Sequence, residues 1–120
     1  MFIFGREVGL AVTVGASIKL ARLCPDNDLT KIDSLLKGDL TDTLENVMKM
    51  AVIMSEAYEL KQAHILPDYE PNPLTEEELE ALDMSELGEL MAEVRSAMAR
   101  DRAQQINTKP AKGSKKNNAK

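Results

Sequence analysis

Residues 44–58 limit the possible folds more than any other stretch. Leu44, Val47, Met48, Ala51, Ser55 and Tyr58 recur on one face at helical spacing, and Met50, Ile53, Met54 and Ala57 carry the apolar surface almost all the way round. A helix apolar on most sides must be enclosed by other elements. The chain is therefore expected to build around one central helix, opened by Asp39 or Thr41 and running to about Ala63. Aromatic rings cannot supply that packing, because the chain has two Phe, two Tyr and no Trp. Leu, Val, Ile, Ala and the seven Met must do so. Each fully buried aliphatic side chain stabilises by roughly 1.5–3 kcal/mol before the entropy of chain ordering is subtracted.

Shorter elements precede this helix. Phe2, Ile3 and Phe4, then residues 8–14, read as two strands around Gly5, Arg6 and Glu7. In the second run Val8, Leu10, Val12 and Val14 alternate with Gly9, Ala11 and Thr13, which is the period of a strand with one apolar face. Such a hairpin is marginal alone and should lie on the helices. Residues 17–23 read as a short helix stopped at Cys24 by Pro25, since proline disfavours helical backbone in the residue before it. Asp28 is placed to cap a further helix over 29–37, and Gly38 stands where a left-handed C-terminal residue is wanted.

Beyond the central helix the material changes. Pro67, Pro71 and Pro73 within seven residues favour an extended, semi-rigid spacer. Thr75 and Glu78 then have capping-box spacing, and acids in the first turn complement the helix dipole. Asp83, Met84 and Ser85 offer a second helix start or a kink. From there Leu87, Leu90, Met91, Val94 and Met98 form a narrow apolar stripe flanked by Glu86, Glu89, Glu93 and Arg95. The reading predicts a mainly α fold: a small helical domain with a short N-terminal β-hairpin and a C-terminal helical arm. Its parts are a compact N-terminal domain over 1–66, a Pro-rich spacer over 67–73, an acidic amphipathic arm over 74–106 and a disordered basic tail over 107–120.

Charge and chemistry narrow the function. Residues 109–120 hold five lysines and no acid, leaving ten bases against twenty acids in the other 108 residues. Between Asp68 and Val94 stand ten acids and no base. A body this acidic repels phosphate backbones. The helix over 29–37 offers only Lys31 and Lys37, opposed by Asp33, to a DNA groove. Cys24 is the one cysteine, so no intrachain disulfide forms, and a reducing compartment is expected. His64, the one histidine, lies forty residues from Cys24, and Gly5, Gly9 and Gly15 match no phosphate-binding spacing. Asp26 and Asp28 begin like a calcium loop, but Lys31 and Lys37 occupy the glycine and terminal glutamate positions. Arg6 and Glu7 interrupt the apolar run at the N-terminus, against a signal peptide. No run reaches the ~20 apolar residues of a membrane span. The expectation is a binding protein and not an enzyme, with no cofactor, metal, specific nucleic acid or membrane partner.

The order of these pieces resembles a known family. Val12-Thr13-Val14-Gly15-Ala16-Ser17 leads into Leu20-Ala21, then Leu23-Cys24-Pro25-Asp26. The Met-rich helix around Met48 to Tyr58 follows, then Leu74-Thr75-Glu76-Glu77-Glu78-Leu79 and Met84-Ser85-Glu86-Leu87. Over most of residues 8–100 the chain is similar to the small tail assembly chaperones of siphophages, the long-tailed bacteriophages. The resemblance implies a protein of the host cell cytoplasm, absent from the mature virion. It would bind the tape-measure protein non-covalently, keep it soluble, and help tail-tube protein assemble around it. Self-association is left open, and the alternative is a small phage-encoded nucleic-acid-binding regulator. From periodicity, and not from the family, the contact residues are expected to be Leu87, Leu90, Met91, Val94 and Met98 where the stripe is exposed; the spacer equally permits the stripe to fold back on the domain as core, or to dock partly until a partner arrives.

Overall fold

The computed structural model describes residues 1–108, with side chains described to residue 101. The expected basic tail over 107–120 lies almost wholly outside the described residues. The chain is mainly helical, with a two-stranded antiparallel N-terminal hairpin and a long C-terminal helix. Strands β1 (Phe2–Ile3) and β2 (Arg6–Glu7) pair Phe2 with Glu7 and Ile3 with Arg6. Phe4 and Gly5 form the two-residue turn, both at positive φ (49° and 82°). That combination matches the twist of a tight hairpin.

The expected second strand over 8–14 is thus displaced. The hairpin closes on Arg6–Glu7, and the residues after Val8 have no strand partner. They lie on the central helix instead. Ala11 N donates to Met54 O at 3.1 Å, and a Cβ on Gly9 would fall 2.5 Å from ring carbons of Tyr58. Glycine here lets the backbone rest on the ring face, which explains why the alternating run needs no second strand. Gly9→Val should cost about 1–3 kcal/mol through this overlap. Tyr58→Ala in the same chain should recover part of the loss, a coupling that a urea-melt double-mutant cycle measures.

Helix α1 (Val14–Leu23) begins three residues before its expected start because Thr13 caps it, the hydroxyl accepting from Ala16 N at 3.2 Å. It ends where expected, at Cys24 before Pro25. Asp28 caps the next segment as expected, accepting from Thr30 N at 3.0 Å. That segment, Leu29–Leu36, is 3-10 helix with a kink at Lys31 rather than α-helix. Gly38 takes φ +120°. Asp39 then opens α2 (Leu40–Ile65), its carboxylate accepting from Asp42 N at 2.8 Å. Val47, Met50, Ala51 and Met54 are fully buried in α2, as its all-round apolarity requires.

The C-terminal part departs most from expectation. Helix α3 (Glu76–Glu80) carries the expected capping box between Thr75 and Glu78. Helix α4 (Met84–Thr108) begins at the expected second start, and Asp83 N donates to Glu86 Oε1 at 2.8 Å. Both pack on α2, so there is no free arm. One hydrophobic core runs from Ile3 through Val47 and Met54 to Leu90 and Met98. The boundary expected at 66/67 does not divide it.

The proline-rich segment is a strap and not a spacer. The buried Glu59 carboxylate accepts from Tyr69 Oη at 2.7 Å and from Asn72 N at 2.9 Å. Ser55 Oγ, also buried, accepts from Leu74 N at 2.9 Å. Arg6 donates to Asn72 O (2.6 Å), Pro73 O (3.3 Å) and Glu78 Oε1 (3.1 Å). Two polar side chains inside the central helix need partners, and the strap backbone supplies them.

Candidate functional site

The five residues expected to meet a partner are mostly core. Leu90 and Val94 are fully buried, Leu87 and Met98 are 7 % exposed, and Met91 is half-buried against the same cluster. The stripe is thus folded back on the domain, one of the arrangements its spacing allows, and is not exposed for a partner in this structure. A narrow stripe must be buried somewhere, and α2 offers an apolar surface larger than α1 and the 3-10 segment cover. The stripe and the all-round apolarity of α2 are two halves of one interface.

A groove of about 440 Å3 opens elsewhere on the surface, floored by the buried Leu20, Ile32 and Met98 and reached by solvent at Val12 and Leu29. Its walls come from four parts of the chain. Val12 lies just before the α1 cap, Leu20 on α1, Leu29 and Ile32 on the 3-10 segment, and Met98 on α4. Thr30, Asp33 and Asp101 complete its lining. Met98 is the one expected contact residue that lines it. A second cleft adjoins it, sharing Val12 and Asp101, and is lined by the backbone run 10–14 with Lys61, Ala97 and Arg100. Leu29 and Val14 are exposed at this side of the molecule, Val14 by 81 %. Helical or strand periodicity could not reveal the groove, because no single element contributes more than two of its apolar residues. The one available signal was that Val12 and Val14 continue an apolar alternation past the hairpin.

The polar groups are largely engaged with one another. Asp28 accepts from the Thr30 hydroxyl at 2.7 Å as well as its amide, which holds its carboxyl below the ordinary value. Lys31 Nζ pairs with Asp26 Oδ2 at 2.9 Å. The residues that opened like a calcium loop, and the lysine offered to DNA, thus meet each other. Cys24 is buried, its thiol donating to Leu20 O at 3.3 Å. Burial, then the Asp28 charge, pushes that thiol up, away from the reactive thiolate. His64 is exposed on α2. Among the described residues no three His, Cys, Asp or Glu side chains are grouped to hold a metal ion. None of the described helices is long and apolar enough to cross a membrane.

A polar cleft lies over the strap, lined by Arg6, Glu7, Glu59, Asp68, Tyr69, Glu70 and Asn72. The hydrogen bond to Glu59, then desolvation, raises the Tyr69 phenol above its ordinary 10.0. A raised folded value means the neutral phenol is the favoured form. Its contribution to stability is therefore complete below pH 10.0 and is lost as pH rises through the folded value. In a Tyr58→Phe background, ultraviolet titration should place Tyr69 above a free tyrosine, and Glu59→Gln should lower its midpoint.

Compared with models of protein families, with curated proteins and with solved structures, the chain matches none.

Proposed function

We propose that this chain is a bacteriophage tail assembly chaperone. It binds an apolar helical stretch of the tape-measure protein without covalent chemistry, keeps that protein soluble in the host cytoplasm, and leaves before the virion is complete. The observation that supports this reading is the groove in which Val12 and Leu29 reach solvent over a floor of Leu20, Ile32 and Met98, edged by Asp33 and Asp101. An amphipathic helix lays its apolar face into such a groove, reading it at helical spacing. The resemblance in element order supplies the partner's identity. An unassembled tape measure exposes apolar surface that aggregates unless covered.

The charge pattern suits the same task. Twenty acids against ten bases over residues 1–108 keep a complex soluble and discourage non-specific nucleic-acid binding. Methionine at the groove wall adapts to different helix faces of a long partner. The contact set therefore shifts from the α4 stripe to the groove, with Met98 common to both.

Co-expression with the tape-measure chain tests this. The wild-type protein should bring the tape measure into the soluble fraction, and Val12→Asp with Leu29→Asp should abolish the rescue. Leu29 is 36 % exposed and Val12 is half-buried, so the variant is expected to remain folded, which circular dichroism checks. Equal rescue by the folded variant would remove the groove from the account.

A further inference from the structure

We propose that the outer edge of residues 10–12 is a docking strand for an extended peptide from another protein. That peptide alternates apolar residues and carries an acidic side chain, which meets Lys61 and Arg100. It differs in conformation from the helix assigned to the groove, and either reading can fail without the other.

The backbone provides the first observation. Residues 8–13 run without helix, turn or bend, and no residue among them takes positive φ. In extended backbone the N–H and C=O of one residue share an edge, and the next residue uses the opposite edge. Val8 uses the hairpin edge: its amide donates to Met1 O at 2.7 Å, and Met1 N donates to Val8 O at 3.5 Å. Ala11 uses the opposite edge, its amide donating to Met54 O on α2 at 3.1 Å. Leu10 and Val12 therefore share the edge of Val8 and face away from that bond to α2. Neither their N–H nor their C=O groups hydrogen-bond among the described residues. An unpaired edge of this kind is a template for a further strand. Main-chain pairing along it gives a peptide its affinity, and pockets for alternate side chains give specificity.

The second observation is the charge beside this edge. Leu10 and Val12 border a cleft of about 450 Å3 together with Lys61, Ala97 and Arg100. Neither cation has an ion-pair partner among the described residues, and Arg100 donates only to Ser96 Oγ, at 3.0 Å within its own helix. Asp101, the acid of the cleft, is itself partnered. Residues 1–108 hold twenty acids against ten bases. Two cations at one cleft of such a body complement a carboxylate brought from outside.

Together these observations select the occupant. A helix spends its backbone hydrogen bonds on itself and cannot pair with Leu10 and Val12. The chain's own residues 109–120, with five lysines and no acid, are repelled by Lys61 and Arg100. A peptide in β conformation satisfies both requirements. Its backbone pairs with Leu10 and Val12, and its apolar side chains lie beside theirs, which are half-buried. Its acid reaches the two cations.

Nuclear magnetic resonance titration of the isotope-labelled full chain tests this with two heptapeptides. One is Asp-Val-Thr-Val-Thr-Val-Asp, and the other has lysine at both ends instead. The acid-ended peptide should bind saturably and slow amide exchange at Leu10 and Val12 at least about tenfold. Ala11, already bonded to Met54 O, should change by less than about twofold. The lysine-ended peptide should bind at least about tenfold more weakly, and Lys61→Glu with Arg100→Glu should reverse the preference. Val12→Pro, which removes one N–H from the edge, should weaken both peptides. The charge-reversed variant, altered only at exposed positions, keeps the test decisive where the proline variant does not fold. Leu29→Asp, which alters the adjoining groove alone, should change binding by less than about twofold. Absence of saturable binding by the acid-ended peptide, or binding that leaves exchange at Leu10 and Val12 unchanged, would overturn the proposal. Slow exchange at both amides in the peptide-free monomer would do the same. A peptide-free dimer that Val12→Pro disrupts would show a second copy holding the edge, and would also overturn it.

Discussion

Leu90→Ala is expected to remove about 2–5 kcal/mol of stability, a large share of the roughly 5–15 kcal/mol a domain holds. Leu90 has no exposed surface and lies where α4 meets α2. Its truncation loses the transfer free energy of the removed carbons and leaves a cavity that helix packing fills only partly. A leucine on a free, solvated arm would give a change within about 0.5 kcal/mol. Urea denaturation therefore distinguishes a docked helix from a free one in a single comparison. Because Leu90 belongs to the core, aspartate at that position would report folding before it reported partner binding. The groove positions Val12 and Leu29 avoid this confusion.

The second large effect belongs to a charged residue. Glu59 is 8 % exposed, and its carboxylate accepts from both Tyr69 Oη and Asn72 N. Hydrogen bonds to a charged group contribute about 1.5–3 kcal/mol net, and an orphaned buried donor costs about 1–3 kcal/mol. Glu59→Ala removes the acceptor and leaves the Asn72 amide and the Tyr69 hydroxyl to find water. We expect a loss of about 2–4 kcal/mol on this basis. Glu59→Gln keeps one oxygen acceptor and should lose less. An equal loss for both would place the effect in helix packing and not in the strap.

Much of the local structure was legible because short-range chemistry decides it. Asp28, Asp39 and Thr75 are caps, each with an oxygen two or three residues from the amide it accepts from, and all three do what their spacing implies. Pro25 ends α1, and Gly38 takes the positive φ that its position after a helical segment calls for. The all-round apolarity of α2 correctly demanded enclosure. What encloses it was harder to read, since the stripe from Leu87 to Met98 has the same period whether it faces α2 or a partner.

The misread pieces depend on contacts distant in sequence. Three prolines imply an extended segment, and after a turn at residues 66–69 the chain runs without helix or strand, but nothing local to it shows that Glu59 and Ser55 wait thirteen and nineteen residues upstream of Asn72 and Leu74. Ser55 shares a face with apolar residues, and Glu59 is one of several charged residues on α2, so neither stands out by its position. The hairpin closed early because Phe4 and Gly5 adopt left-handed backbone together. A phenylalanine does not announce this as asparagine would. The groove assembles residues from four parts of the chain and had no sequence period of its own.

Calorimetric titration of the purified protein with helical segments of the tape-measure protein, at several temperatures, tests the central claim most directly. The account predicts saturable binding with a negative heat-capacity change, as burial of apolar surface requires, and its loss in the folded Val12→Asp, Leu29→Asp variant. Absence of saturable binding to every segment, or binding that the variant retains unchanged, would contradict it.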